Sequence, residues 1–174
     1  AGNGNATFTC VNVSGNAVYM SGHAAVQYQI TSNGSVPMNA LKSPLFGSGA
    51  ASGALRTLVT EPRTHLFENE HTRVVKRALD ANDALTAALA GAPTITTAFP
   101  ANNTLGDQLK MVARMISVAD ALAAKRQVFF VSLGGFDNHD FLPDQHPGLL
   151  TATANAIKSF YDATVELGVE SGTK

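Results

Sequence analysis

Between Ala6 and Ile30 apolar and polar positions alternate in a segment rich in Val, Thr, Tyr and Phe. A period of two marks extended chain with one face turned inward, and the break at Ser14-Gly15-Asn16 predicts a β-hairpin followed by a third extended segment. Residues 31–53 bring Ser, Gly, Asn and Pro in quick succession, including Asn33-Gly34 and Ser43-Pro44, and predict a long irregular connection. From Arg63 to Ala90 the spacing of Leu66, Val74, Val75, Leu79, Leu85 and Leu89 is near helical, so one long helix or two abutting ones are expected before Gly91-Ala92-Pro93. Ile95 to Phe99 is short and Thr-rich and predicts no firm element.

The second half is more regular. Pro100-Ala101-Asn102-Asn103-Thr104 supplies a turn and a cap, and Leu105, Leu109, Val112, Ile116, Val118 and Leu122 form one stripe of a helix over 105–124. Lys125-Arg126-Gln127 would close it with favourable charge. Gln127 to Leu133 is continuously apolar apart from its ends, the pattern of a central strand buried on both faces. Leu149, Leu150, Ala154, Ile157, Phe160, Tyr161 and Val165 then predict a helix from Pro147 to Leu167, with Gly168 as its C-cap. Helix, strand, helix is an α/β order, so the expected fold is a set of helices packed on a mixed, mainly parallel sheet with an N-terminal β-hairpin region. A single domain over 1–174 is expected, β-rich and irregular over 1–53 and helix-strand-helix over 54–174. The loop-like ending Glu170-Ser171-Gly172-Thr173-Lys174 and the start at Ala1-Gly2-Asn3 lead us to expect an internal fragment of a longer protein.

Composition narrows the class. The chain has 174 residues, 45% of them hydrophobic and 14% charged, enough apolar material for a substantial core. Twelve Lys and Arg against thirteen Asp and Glu leave a formal net charge of -1, with no long basic run, so nucleic acid is a poor candidate partner. No apolar run approaches the roughly 20 residues of a membrane span. Cys10 is the only cysteine, so a metal site here would need His and carboxylate ligands.

Chemistry concentrates in Gly134-Gly135-Phe136-Asp137-Asn138-His139-Asp140, which follows the apolar strand. Ligands of open α/β sheets gather beyond the carboxyl ends of the strands. Gly134 and Gly135 allow close backbone approach to a substrate, with Asp140 beside them, while Asp137 and His139 can point the same way and hold a divalent metal. Asp144 and His146 extend the cluster, and His146 is a candidate third ligand. The plainer alternative is an Asx-turn at Asp137 or Asp140 with His139 in solvent. His65 and His71, six apart, do not share a helix face and are expected to be solvated; His23 is expected to be structural. Ser132 and Thr104 lie in no nucleophile elbow, and the glycines match neither the dinucleotide fingerprint nor the phosphate-binding loop.

The run from Lys125 through His139, with His146-Pro147-Gly148-Leu149-Leu150, resembles the bacterial domain-of-unknown-function family fifteen-oh-one. Gln108 to Ile116, Val13-Ser14-Gly15-Asn16 and Val36-Pro37 extend the resemblance over most of the chain. That family is similar to the alkaline phosphatase and sulfatase superfamily and commonly exported. The resemblance therefore implies an α/β sandwich, a periplasmic or secreted location, and a zinc, manganese or calcium site in which Asp137 and His139 are ligands. Asn138 stands where the family has Thr, and its following Gln is displaced to Gln145. The family's N-terminal Gly-Gly-Asn-Asp loop and C-terminal Asp-His-Gly segment are absent from this sequence.

Two functions of different class follow. One is a metal-dependent hydrolase of small phosphate, sulfate or related esters, to which this chain contributes part of the site. The other is a non-catalytic exported binding or structural domain of the same fold. A metal-independent ester hydrolase is a minor third, with no elbow motif behind it.

Overall fold

The Phe8 to Val13 segment carries the central strand of the described sheet, and its apolar residues Phe8, Val11 and Val13 are buried. Phe8 and Val11 are fully buried, and so is the polar Asn12. The computed structural model describes residues 2–4, 6–15, 20, 22, 26–42 and 44–173. Among these are three strands and five α-helices, in the order β1 (Cys10–Asn12), β2 (Tyr28–Gln29), α1 (Asn39–Lys42), α2 (Gly49–Thr60), α3 (Leu66–Ala90), α4 (Thr104–Ser117), β3 (Val128–Phe130) and α5 (Leu142–Glu166), closed by a 3-10 turn at Glu170–Gly172. The chain divides into two units, residues 1–34 with 88–174, and residues 35–87.

In the first unit the strand order is β2-β1-β3, and both pairings are parallel. Both described neighbours of β1 are thus parallel, and the second arm of the hairpin expected after Ser14-Gly15-Asn16 falls largely outside the described residues. The alternation did mark extended chain, but a period of two carries no information on partner or direction. At the predicted break, Asn12 Oδ1 accepts from the Ser14 N–H at 3.0 Å, an Asx-turn that follows the last residue of β1. Parallel neighbours need a connection of about a dozen residues or more, which residues 13–27 provide. His23 and positions 16–19 of that connection lie outside the described residues.

The strand expected over Gln127–Leu133 is shorter than its apolar run and pairs only with β1. Val128 donates to the Thr9 carbonyl at 2.7 Å, Val13 donates to that of Phe130 at 2.9 Å, and Val128 is 56% exposed. It is an edge of the described sheet, not its centre. The apolar run is instead used beyond the strand, where Val131 and Leu133 pack with Phe99 and Phe160 against Leu105, Leu109 and Ala156. Burial against helices and burial between strands leave the same signature in a sequence.

Helix α4 pairs with α5. It buries Leu105, Leu109 and Val112 as the stripe predicts, and also Met111, Ala113 and Met115. It ends at Ser117 rather than Ala124; residues 118–124 continue as turns, with Ala123 at φ 52°. Lys125 and Arg126 therefore do not sit at the helix end, and their N–H groups both donate to Asn3 Oδ1 at 2.8 Å. Helix α5 starts at Leu142, not Pro147. Pro143 occupies the first turn, where a missing N–H is harmless, and Pro147 is carried inside the helix. Gly168, at φ 68°, follows the last turn as the sequence predicts.

Two polar contacts fasten this unit. Asn103, buried, caps α4 by accepting from Gly106 N–H at 2.9 Å, while its Nδ2 donates to the Ala152 carbonyl of α5 at 2.7 Å. Glu166, at the end of α5, accepts four hydrogen bonds from the extended segment before α4: the Thr96 N–H (2.7 Å) and hydroxyl (2.8 Å) on one oxygen, the Thr97 N–H (2.8 Å) and hydroxyl (2.6 Å) on the other. Its pKa falls from 4.5 to about 2, the Thr97 hydroxyl contributing most. The helix macrodipole disfavours an acid at this end, so the four donors must more than offset it.

In the second unit, α3 is one continuous helix, as one of the two readings of its pattern allowed. Helix α2 was not legible in the Gly- and Ser-rich sequence. Ser48 caps it, and the Ser52 hydroxyl accepts from the Leu45 N–H at 2.8 Å. Ser35 donates to the buried Asn82 of α3 at 2.6 Å, and Arg56 of α2 meets Asp83 of α3 at 2.8 Å.

Two predictions follow. Asn103→Ala should lower the unfolding free energy by about 2 kcal/mol, since it removes both a cap and the partner of a buried carbonyl, and Asn103→Asp by roughly half as much, because it keeps the cap; urea titration checks both. The Glu166 contribution is present above its ordinary pKa of 4.5 and is lost as pH falls through about 2. Glu166→Gln should therefore melt below the wild type at pH 7, and the gap should close through that acid window in a pH series of melting curves.

Candidate functional site

Because β1 and β3 are parallel and Asn12 is in register with Phe130, the chain leaves both strands at the same edge of the sheet. The segment from Gly134 to Asp140 starts there, at the position where α/β sheets present ligands. Asp137 Oδ1 and His139 Nε2 are 3.3 Å apart, with side chains 91% and 85% exposed. The structure thus brings together the two residues that the sequence singles out most sharply. Among the described residues no third His, Cys, Asp or Glu joins them in a group able to hold a metal.

His146 is not in the loop at all. It lies in the early turns of α5, where its ring meets that of Phe136 edge-on at 5.7 Å. Its Nε2 is buried without a hydrogen-bond partner, as is Asn138 Oδ1. Asn138 Nδ2 donates to Gln145 Oε1, so these two side chains are partners across the loop. Asp140 is exposed, and Phe141 takes a left-handed conformation (φ 57°) while its carbonyl accepts from Asp144 and Gln145 at the helix start.

The two glycines differ. Gly135 has φ 95°, and a Cβ there would stand 3.4 Å from a Leu149 methyl, so both backbone conformation and packing require glycine. Nothing lies within 4 Å of a Cβ at Gly134, and its φ is not in the left-handed region. Gly135 is thus accounted for by the fold without a ligand.

Sequence reasoning missed two residues that shape this edge. Asn12 is fully buried at the end of β1 and bonds Ser14 and Gln27. Its signal was a lone polar side chain in an apolar strand. Gln108 of α4 donates to the Ser132 carbonyl and accepts from the Ser132 N–H, both at 2.9 Å, just after β3. Among the remaining candidates, His65 and His71 are exposed, as expected, and Thr104 is the first residue of α4, one position after the cap. A groove of about 480 Å³ runs along β3 from Lys125 to Val131, and none of Gly134 to Asp140 lines it.

Comparison with protein-family models, curated proteins and solved structures found no match to this chain.

Proposed function

We propose that the chain contributes part of a divalent-metal centre that hydrolyses phosphate, sulfate or related esters, with Asp137 and His139 as two of its ligands. The observation that carries the reading is their approach to 3.3 Å, open to solvent, at the carboxyl edge of a parallel sheet. A carboxylate oxygen beside an imidazole nitrogen suits zinc or manganese better than calcium, which prefers oxygen alone. A bound ion of this kind polarises an ester oxygen and activates water. Two ligands hold such an ion weakly, since catalytic zinc sites use three from protein. His146, with its unpartnered Nε2, is the nearest further histidine in the sequence and the candidate for a third or supporting role. Gly134, Gly135 and Asp140 would border the substrate. An exported location rests on the family resemblance alone.

The non-catalytic reading draws on the same count of two ligands, and one experiment separates the two. Calorimetric titration with manganese or zinc should give weak, saturable binding by this chain, weakened about tenfold or more in an Asp137→Ala, His139→Ala variant. Hydrolysis of p-nitrophenyl phosphate or sulfate should be slight with this chain alone, should be measurable in a longer protein only with added metal, and should disappear with the same pair. Metal binding or turnover that is unchanged in the double variant would leave the binding-domain reading.

A further inference from the structure

We propose that Gln108 is a positioning residue for the Asp137–His139 pair, an inference that rests on the metal reading above. Strand β3 receives hydrogen bonds from β1 only as far as Phe130, whose carbonyl accepts from Val13 at 2.9 Å. The next residue facing the same way is Ser132, whose N–H and C=O would be left without a strand partner. The Gln108 side-chain amide fills that place. It donates to the Ser132 carbonyl and accepts from its N–H, both at 2.9 Å, the two bonds that two further residues of β1 would have made in a parallel ladder.

Ser132 is thus the last fixed backbone point before Gly134-Gly135, and it is fixed by α4, not by the sheet. The amide is itself well anchored. Its neighbours Leu105 and Leu109 are buried, and the start of α4 is tied to α5 through Asn103 and Ala152. The far side of the loop is held by α5, where Gln145 accepts from Asn138 and Leu149 lies under Gly135. Asp137 and His139 flank Asn138, so their separation depends on two clamps, one from each of a pair of packed helices. Between the clamps stand two glycines, which would let the segment swing if either clamp were lost.

Manganese affinity and amide exchange, measured together on this chain, test the proposal. Gln108→Met keeps the length and apolar contact of the side chain and removes both bonds; Ser132→Ala leaves the backbone bonds in place and serves as control. Gln108→Met should weaken manganese binding about tenfold, as loss of a residue that orients a ligand does, and speed exchange at Ser132 and over residues 134–139. Ser132→Ala should do neither. Asp137→Ala is measured alongside. If it abolishes manganese binding while Gln108→Met leaves both affinity and exchange unchanged, the positioning role is refuted and the metal reading survives. If Asp137→Ala leaves manganese binding intact, the metal reading fails, and the role of Gln108 then stands or falls on the exchange of residues 134–139 alone.

Discussion

Parallel pairing on both sides of β1 is the constraint from which the rest of the first unit follows. Val11 and Asn12 are fully buried with a hydrogen-bonded neighbour on either side. Parallel neighbours cannot be joined by a tight turn, so the chain must travel between them. Residues 13–27 make one such journey, and the whole segment from α1 to α4 lies in sequence between β2 and β3. The same pairing sends β1 and β3 out of the sheet at one edge, which is why Asn12, Ser132 and the Gly134–Asp140 segment belong to one region although 120 residues separate the first two.

The sheet is short, and helices do much of the work that longer strands would do. Val131 and Leu133 are half-buried against α4 and α5 after β3 has ended. Gln108 supplies the backbone partner that β1 no longer offers, and Glu166 gathers the amides of Thr96 and Thr97 in an extended segment that has no strand to pair with. In each case a side chain on a packed helix stands in for a missing strand. An unpaired backbone group would otherwise depend on water or be left unsatisfied. The functional consequence is that the geometry of the Asp137–His139 pair depends on α4 and α5 as much as on the sheet.

The loop itself combines features with different origins. Gly135 and the Asn138–Gln145 contact are explained by packing against α5. Asp137 and His139 are not; they are highly exposed, and the fold gains little from holding two such side chains together, since exposed ion pairs contribute at most about 1 kcal/mol. That contrast is what directs the functional reading to these two residues and away from the glycines.

Sequence alone determined the α/β order, helical chain running up to Ala90 (as one helix or two), the cap region before α4, the Gly168 ending of α5 and the placing of Asp137 and His139 just after an apolar strand. These are local matters, set by periodicity, by cap chemistry and by the order of elements along the chain. Tertiary structure decided the rest. The parallel pairing on both sides of β1 was decided there, because alternation identifies a strand without naming its partner. The presumed central strand became an edge because an apolar run is silent on whether strands or helices will cover it. His146 moved from the loop to a helix because two prolines, Pro143 and Pro147, compete as start signals and only packing chooses between them. Gln108 acquired its role through a contact spanning 24 residues, between a helix face and a strand end that no local pattern connects.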